Sequence, residues 1–126
     1  MKTGAELIAE ERKRQIEKEG FDSKHDANDA AHGAGELSMV AEAYVRTASI
    51  QVSDDFYGLG RPEGEHDGLP EDWPSSWDKA WWKPSDDPIR NLIKAGALIA
   101  AEIDRIQGWI PAVGKHLDKQ NIQGQP

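Results

Sequence analysis

Four of the chain's five tryptophans lie within ten residues of one another, and this cluster constrains the fold more than any other feature. The tryptophan segment, residues 69–88, reads LPEDWPSSWDKAWWKPSDDP, with indoles at positions 73, 77, 81 and 82. Each indole offers a large apolar surface and one N–H that needs a partner when it is buried. We therefore expect this segment to fold back onto helices, to line a pocket, or to do both.

The composition predicts one soluble domain. A chain of 126 residues with 37% hydrophobic and 30% charged residues has enough apolar surface for one modest core. The absence of cysteine excludes disulfides and thiolate metal sites. No apolar run approaches the roughly 20 residues that span a bilayer, and the N-terminus lacks the apolar core of a signal peptide. We expect a cytoplasmic protein that makes no membrane contact.

The net charge of −8 bears on the kind of partner. General nucleic-acid binding needs a basic surface that attracts the phosphate backbone, so this acidity argues against it. A small phosphate-bearing ligand needs only a few local cations and stays compatible with the charge. Solubility alone is the simplest explanation of the acidity.

Helix signals occur in three places. Thr3 and Glu6 form a T-x-x-E capping box, which predicts a first helix from near Gly4 to Glu19, ending at Gly20. Alternating spacings of four and three predict a second helix over about 29–48, with one stripe of mostly small residues: Ala30, Ala34, Leu37, Ala41, Tyr44 and Ala48.

The third helix has the clearest boundaries. Asp87 is a good N-cap, Pro88 suits the first helical position, and Gly108 follows the last predicted residue, Gln107. The helix is apolar around much of its circumference, with a principal face predicted at Ile89, Leu92, Ile93, Gly96, Ala100 and Ile103. Such a helix is expected to be central or to lie in an oligomer interface.

These elements predict an all-α fold, a small bundle of three principal helices. A long irregular connection, rich in tryptophan, joins helices two and three. Its first part, 49–70, is expected to have no regular structure. An ordered and a mobile loop are both compatible with the sequence at 54–68. We predict a single helical domain over 1–114 and a polar C-terminal tail over 115–126. The Ala- and Gly-rich helix faces predict a homo-oligomer.

A metal site is one hypothesis for the second helix. Two imidazoles and two carboxylates recur at spacings of four, three and four, which places them in one stripe on a continuous helix: His25, Asp29, His32 and Glu36. These groups are suitable ligands for a divalent transition metal. The alternative is a solvated polar helix start, where acidic residues favour the helix dipole.

A ligand site is the hypothesis for the tryptophan segment. Cations follow the indoles closely, and aromatic faces beside a few cations suit a nucleobase with its phosphate. The candidate ligand-binding residues are Trp77, Trp81, Trp82, Lys83, Arg90 and Lys94, with Arg14 added from the first helix. The alternative is that the indoles simply cover a thin core.

Carboxylates on all three predicted helices raise a further possibility, because a shared acidic interior can hold divalent cations around a pyrophosphate. The acidic residues are Glu10, Glu11, Glu36, Glu42, Glu102 and Asp104. In outline this resembles the MazG-type all-helical nucleotide pyrophosphohydrolases, which would imply Mg²⁺ or Mn²⁺. That family carries E-x-x-E and E-x-x-D, and the spacings here differ, so no catalytic residue is carried over.

A second resemblance rests on longer pieces: EERKRQIEKEGF-x3-HD at 10–26, GEL at 35–37, and WWKP followed by R-x-LIKAGALIAAEIDR at 81–105. Together they are similar to a group of short proteins encoded by bacteriophages and prophages. The resemblance covers about half the chain. It implies a protein of the cytoplasm of an infected bacterial host, and it implies no reaction.

The sequence is therefore compatible with three functions. The first is a phage protein that binds a small nucleotide-like ligand without a cofactor, sequestering a host immune signal such as a cyclic nucleotide or an ADP-ribose derivative. The second is a metal-dependent nucleotide pyrophosphohydrolase. The third is a helical interaction module that binds a host protein through its tryptophans. The absence of a nucleophile motif, a Walker loop or a G-x-G-x-x-G sequence favours binding over catalysis.

Overall fold

The structure is a computed structural model that describes residues 1–19, 35–60, 69–71 and 73–108. Within these ranges the regular structure is entirely helical, with no strand. Helix α1 spans Gly4–Arg14, α2 spans Glu36–Tyr57 and α3 spans Pro88–Gln107. The expected all-α class is confirmed for these residues, whereas the proposed boundary between domain and tail lies outside them.

The first helix begins as its capping box predicts. The Thr3 backbone N–H donates to Glu6 Oε1 at 2.9 Å, and the Glu6 N–H donates to Thr3 Oγ1 at 3.2 Å. The chain then widens into a π-helical turn over Gln15–Glu19, so the chain is helical to Glu19 as predicted, but its last turn is not α-helical. The predicted stop at Gly20 lies outside the described residues. Short π-helical insertions occur frequently at functional sites.

The third helix also begins and ends as predicted. Asp87 Oδ1 accepts the Ile89 N–H at 2.9 Å, Pro88 occupies the first helical position, and Gly108 is the C-cap. These boundaries depend on adjacent residues alone, which is why a local sequence pattern is sufficient to predict them.

Both predicted ends of the second helix are wrong. Gly35 has a φ of +91°, in the left-handed region, so the chain is not helical across this position. The helix also runs nine residues past Ala48, through residues 49–57 that were predicted to be irregular, and ends at Gly58 with a φ of +66°. The buried stripe continues at Gln51, a polar residue that the apolar pattern did not include.

Helix α3 contacts both α1 and α2. It faces α2 with small and polar side chains, and its buried residues are Asn91, Ala95, Ala97, Leu98, Ala101, Glu102 and Arg105. Of the apolar face named from the sequence, Ile89 is exposed by 60% and Ile103 by 51%, whereas Gly96 packs against α1. Alanines allow the two helices to approach closely, and the polar residues between them are paired, so this face packs well despite its polarity.

Helix α1 meets α3 at Gly96. A Cβ built on this glycine would lie 2.5 Å from Ile8 Cδ1 and 2.8 Å from its Cγ1. Gly96 thus makes room for the side chain of Ile8. The contact brings the C-terminal half of α1 close to α3.

Candidate functional site

The tryptophan segment is folded onto α2 by its own indoles. Trp77 and Trp82 are buried in the core cluster, and Trp73 packs against it with ring centroids 6.1 Å from Trp77 and 5.7 Å from Trp82. The Trp73 indole N–H donates to the Trp77 carbonyl at 3.2 Å. Trp81 differs from the two buried rings, since 37% of it is exposed. The segment therefore covers part of the core and also leaves one indole at the surface.

Tyr44 of α2 fixes the position of this exposed indole. Its hydroxyl accepts the Lys83 backbone N–H at 3.0 Å and donates to the Trp81 carbonyl at 3.3 Å. Its ring lies 4.8 Å from that of Trp82. Because Tyr44 is itself buried, residues 81–83 are held against a rigid helix.

A second set of hydrogen bonds holds the end of the segment. Asn91 is fully buried, and its amide donates to Gln51 Oε1 at 2.9 Å and to the Ser85 carbonyl at 2.8 Å. The Ser85 N–H donates to Asn91 Oδ1 at 2.8 Å, and Gln51 Nε2 donates to the Ser85 carbonyl at 2.8 Å. These bonds explain why Gln51 is buried, and they tie the segment to both α2 and α3.

A cleft lies between these elements and the end of α1. Its volume is about 60 Å³, and it is lined by Glu11, Arg14, Gln15, Val40, Tyr44, Trp77, Trp81, Lys83, Lys94 and Leu98. Three of these side chains are cationic and one is anionic, in a chain whose net charge is −8. The cleft is thus a locally positive site on an acidic protein, which attracts anions.

Glu11 organises the cationic groups from one side. Its buried carboxylate accepts two hydrogen bonds from Arg14, from Nε at 3.0 Å and from a terminal nitrogen at 2.7 Å. It accepts a third hydrogen bond from Arg90 at 2.9 Å. Burial alone raises the pKa of Glu11, but the hydrogen bonds and charges of the two arginines outweigh it, so the pKa is lowered. Glu11 is therefore a charged anchor that orients Arg14.

The two lysines lie over aromatic rings. Lys83 Nζ is 5.8 Å from the Trp81 ring centroid, and Lys94 Nζ is 5.4 Å from that of Tyr44. Lys94 also donates to the Lys83 carbonyl at 2.5 Å. Cation–π contacts keep both ammonium groups beside the rings, so charge and aromatic surface are presented together.

Gln15 lies on the α1 side of the cleft. It is only 3% exposed, and its Oε1 has no hydrogen-bond partner among the described residues. Buried polar atoms are nearly always paired with protein or water. Gln15 also lines the cleft, so an acceptor without a partner lies in the wall of this site.

Five of the seven predicted ligand-binding residues line this one cleft: Arg14, Trp77, Trp81, Lys83 and Lys94. The other two do not line it. Trp82 is buried against Tyr44, and Arg90 is bonded to Glu11. Sequence reasoning did not include Glu11, Gln15 and Tyr44 in the site. The polar Gln15 beside the charged run of the first helix gave no signal of its own, because its position depends on the packing of α1.

The predicted metal site is only partly within the described residues. His25, Asp29 and His32 lie outside them, while Glu36 is the first residue of α2 and accepts a hydrogen bond from Ser76 Oγ at 3.2 Å. The left-handed Gly35 interrupts the continuous helix on which the stripe depended. Across 1–19, 35–60, 69–71 and 73–108, no three His, Asp or Glu side chains are grouped so as to hold a metal.

The carboxylates considered for a shared acidic interior have separate partners. Glu10 pairs with Lys2, and Glu42 pairs with Arg46 at 3.2 Å. Glu102 pairs with Arg105 and accepts from Ser38 Oγ at 2.9 Å. Asp104 accepts from Arg12 at 3.0 Å, across the contact of α1 with α3. These pairs account for the burial of Arg12, Glu102 and Arg105.

A second, apolar groove lies between α2 and the start of α3. Its volume is about 400 Å³, and its lining is Ala48, Ser49, Val52, Ser53, Phe56, Tyr57 and Leu92. Phe56 is 81% exposed and Tyr57 70% exposed. The aliphatic face of α3, formed by Ile89, Leu92, Ile99 and Ile103, continues from this groove through Leu92.

None of the helices in the described ranges is long and apolar enough to cross a membrane. Comparison of the chain with protein-family models, with curated proteins and with solved structures found no match.

Proposed function

We propose that this protein binds a small anionic, nucleotide-like ligand at the cationic cleft. The observation that carries the proposal is the meeting of three cations with an exposed indole in a chain of net charge −8. Lys83, Lys94 and Arg14 supply donors and positive charge for a phosphate. Trp81 supplies a flat surface on which a nucleobase can stack.

The size of the cleft defines which part of the ligand enters it. Pockets that enclose a whole ligand usually measure about 300–1,000 Å³, and the volume here is about 60 Å³. One small group fits inside, and the remainder of the ligand lies outside against Trp81, which is 37% exposed. Contact with one ring face at the surface is consistent with stacking.

The supports around the site favour a preformed arrangement. Tyr44 holds the backbone of residues 81–83, and Glu11 holds Arg14 through two hydrogen bonds. A site whose side chains are already held loses less conformational entropy when the ligand binds. We therefore expect binding without a large rearrangement of the described residues and without a metal cofactor.

The resemblance to bacteriophage proteins supports a finer form of the proposal, in which the protein sequesters a host nucleotide signal. A sequestering protein returns its ligand unchanged. The ligand recovered after prolonged incubation should therefore be intact, whereas a pyrophosphohydrolase would yield shorter phosphates when Mg²⁺ or Mn²⁺ is added.

Isothermal titration calorimetry with mononucleotides, cyclic nucleotides and ADP-ribose tests the proposal. Lys83→Gln should weaken binding about tenfold, since a charge-assisted hydrogen bond contributes roughly 1.5–3 kcal/mol. Lys79→Gln is the matched control, because Lys79 is an exposed lysine of the same segment that does not line the cleft. No saturable binding across the panel, or equal effects of both variants, would contradict the proposal.

We also propose that a second copy of the chain covers the apolar groove and the aliphatic face of α3. Large exposed apolar patches on soluble proteins commonly mark interfaces, and Phe56, Leu92 and Ile103 are each exposed by 44% or more. Identical faces can meet around a two-fold axis. Light scattering after size exclusion should report a dimer that Phe56→Glu or Leu92→Glu dissociates. Ile50→Glu, at an exposed position of α2 outside the groove, should leave the mass unchanged.

A further inference from the structure

The strongest unexplained feature of the cleft is the buried side chain of Gln15. The rest of the polar lining is accounted for by the contacts above: Glu11 holds two arginines, Tyr44 holds residues 81–83, and both lysines lie over rings. Gln15 is 3% exposed, and its Oε1 has no partner within the described ranges. An amide oxygen in this position can only accept a hydrogen bond.

We infer that the ligand of this cleft carries a hydrogen-bond donor, a hydroxyl or an N–H, which binds Gln15 Oε1. The inference rests on the proposed function and narrows its ligand class. An anion bound at the lysines leaves Gln15 Oε1 without a partner, because a fully deprotonated phosphate offers only acceptors. The matching ligand therefore combines an anionic group with a nearby donor.

The cleft has two chemically different sides, which fits such a ligand. Glu11 and Gln15, from the end of α1 and its π-helical turn, contribute acceptor oxygens. Lys83 and Lys94, from the tryptophan segment and α3, contribute donors and positive charge. A ligand with its anion at the lysines directs a hydroxyl or N–H toward Gln15 when the two groups belong to one small molecule.

The volume of the cleft agrees with a ligand that places only a small donor group beside Gln15. A cavity holds one water molecule when about 10–15 Å³ of space is open to the centre of that molecule. The 60 Å³ of the cleft therefore accommodates about four groups of that size. That is enough for a hydroxyl pair of a sugar or the edge of a base, but not for a complete nucleoside.

The test compares three ligands on the unmodified protein by calorimetry. They are AMP, its dideoxy analogue without ribose hydroxyls, and purine ribonucleoside monophosphate, which lacks the exocyclic amine. We expect one analogue to bind about tenfold more weakly than AMP, which identifies the donor as hydroxyl or N–H. Equal affinity for all three would overturn the inference and leave the proposed function standing. No binding of any of them, together with no binding of the cyclic nucleotides and ADP-ribose named above, would overturn both.

A variant gives a second readout. Gln15→Leu should remove the discrimination between AMP and the weaker analogue, while Gln107→Leu, at an exposed glutamine at the end of α3, should retain it. The Tm of unliganded Gln15→Leu should equal or exceed that of the unmodified protein, because a buried oxygen without a partner is lost. A large fall in Tm, or discrimination that persists in this variant, would overturn the inference.

Discussion

The Tyr44 hydroxyl accepts the backbone N–H of Lys83 at 3.0 Å, and this single bond connects a buried helix residue to the cationic rim of the cleft. The same hydroxyl donates to the Trp81 carbonyl at 3.3 Å. The positions of one lysine and one indole therefore depend on a hydroxyl buried in the core.

Tyr44→Phe should lower the free energy of unfolding by about 1–2 kcal/mol, because it leaves two backbone groups without their partner. Urea denaturation measures this change. Tyr57→Phe is the control, since Tyr57 is 70% exposed and its hydroxyl loss should cost less than about 0.5 kcal/mol. Equal effects of the two substitutions would show that the Tyr44 bonds contribute nothing.

Asn91→Leu should be more damaging, at about 3 kcal/mol or more, since the buried Gln51 Oε1 and the part-buried Ser85 N–H both lose their partner. The free energy of unfolding is measured in urea for both single variants and for the double variant Gln51→Leu, Asn91→Leu. The double variant should lose less of it than the sum of the two single losses, because the two residues share one hydrogen-bond network. Strict additivity would contradict the coupling.

These bonds explain which parts of the fold could be predicted from the sequence. The N-terminal caps at Thr3 and Asp87 involve neighbours a few residues away, so local patterns were sufficient. The extent of α2 was not predictable in this way, because burial of Gln51 depends on Asn91, forty positions later. The polar residues that α3 buries were not predicted either, since they are recognisable only once their partners are known.

Glu11→Gln should destabilise the protein at neutral pH by about 1–3 kcal/mol, because two arginines lose a charged partner. The pKa of Glu11 is lower in the folded chain than its ordinary value of 4.5. Its contribution to stability is therefore complete above pH 4.5 and is lost as the pH falls through the lowered folded pKa.

Unfolding measured from pH 7 downward checks this sign. The difference between Glu11→Gln and the unmodified protein should shrink only below about pH 4.5, where the unfolded chain becomes protonated. Glu17→Gln, at an exposed position, is the control and should show little difference at any pH. A stability difference between Glu11→Gln and the unmodified protein that grows as the pH falls would contradict the lowered pKa of Glu11.

Gly96→Ala should destabilise the contact of α1 with α3. Overpacking lowers the free energy of unfolding by about 1–3 kcal/mol, whereas the better helix propensity of alanine offsets about 1 kcal/mol of this loss. Ile8→Val removes the Cδ1 atom that lies 2.5 Å from the new methyl position, so the loss should be smaller in that background. Gly4→Ala is the control, because no heavy atom lies within 4 Å of its added Cβ. If thermal denaturation shows both alanines to be equally stabilising, the close approach is not real.

The candidate site was predictable to a similar degree as the fold. Trp77, Trp81, Lys83 and Lys94 are close in sequence, so their proximity could be proposed from the segment alone. Glu11 and Gln15 reach the cleft only because α1 packs against α3, a contact between residues about eighty positions apart. No local pattern identifies such residues.

The indole N–H resonances offer the most direct measurement of the central claim, that a nucleotide-like ligand binds at Trp81 and the cations of the cleft. Each tryptophan gives one such signal in a nitrogen–proton correlation spectrum, and Trp81→Phe assigns the relevant one. Titration with AMP should shift the Trp81 signal and the Lys83 backbone amide in a saturable way, and it should leave the Trp73 indole, bonded to the Trp77 carbonyl, nearly unchanged. Spectra that stay the same at millimolar AMP and at millimolar cyclic nucleotide, or that shift away from the cleft, would contradict it.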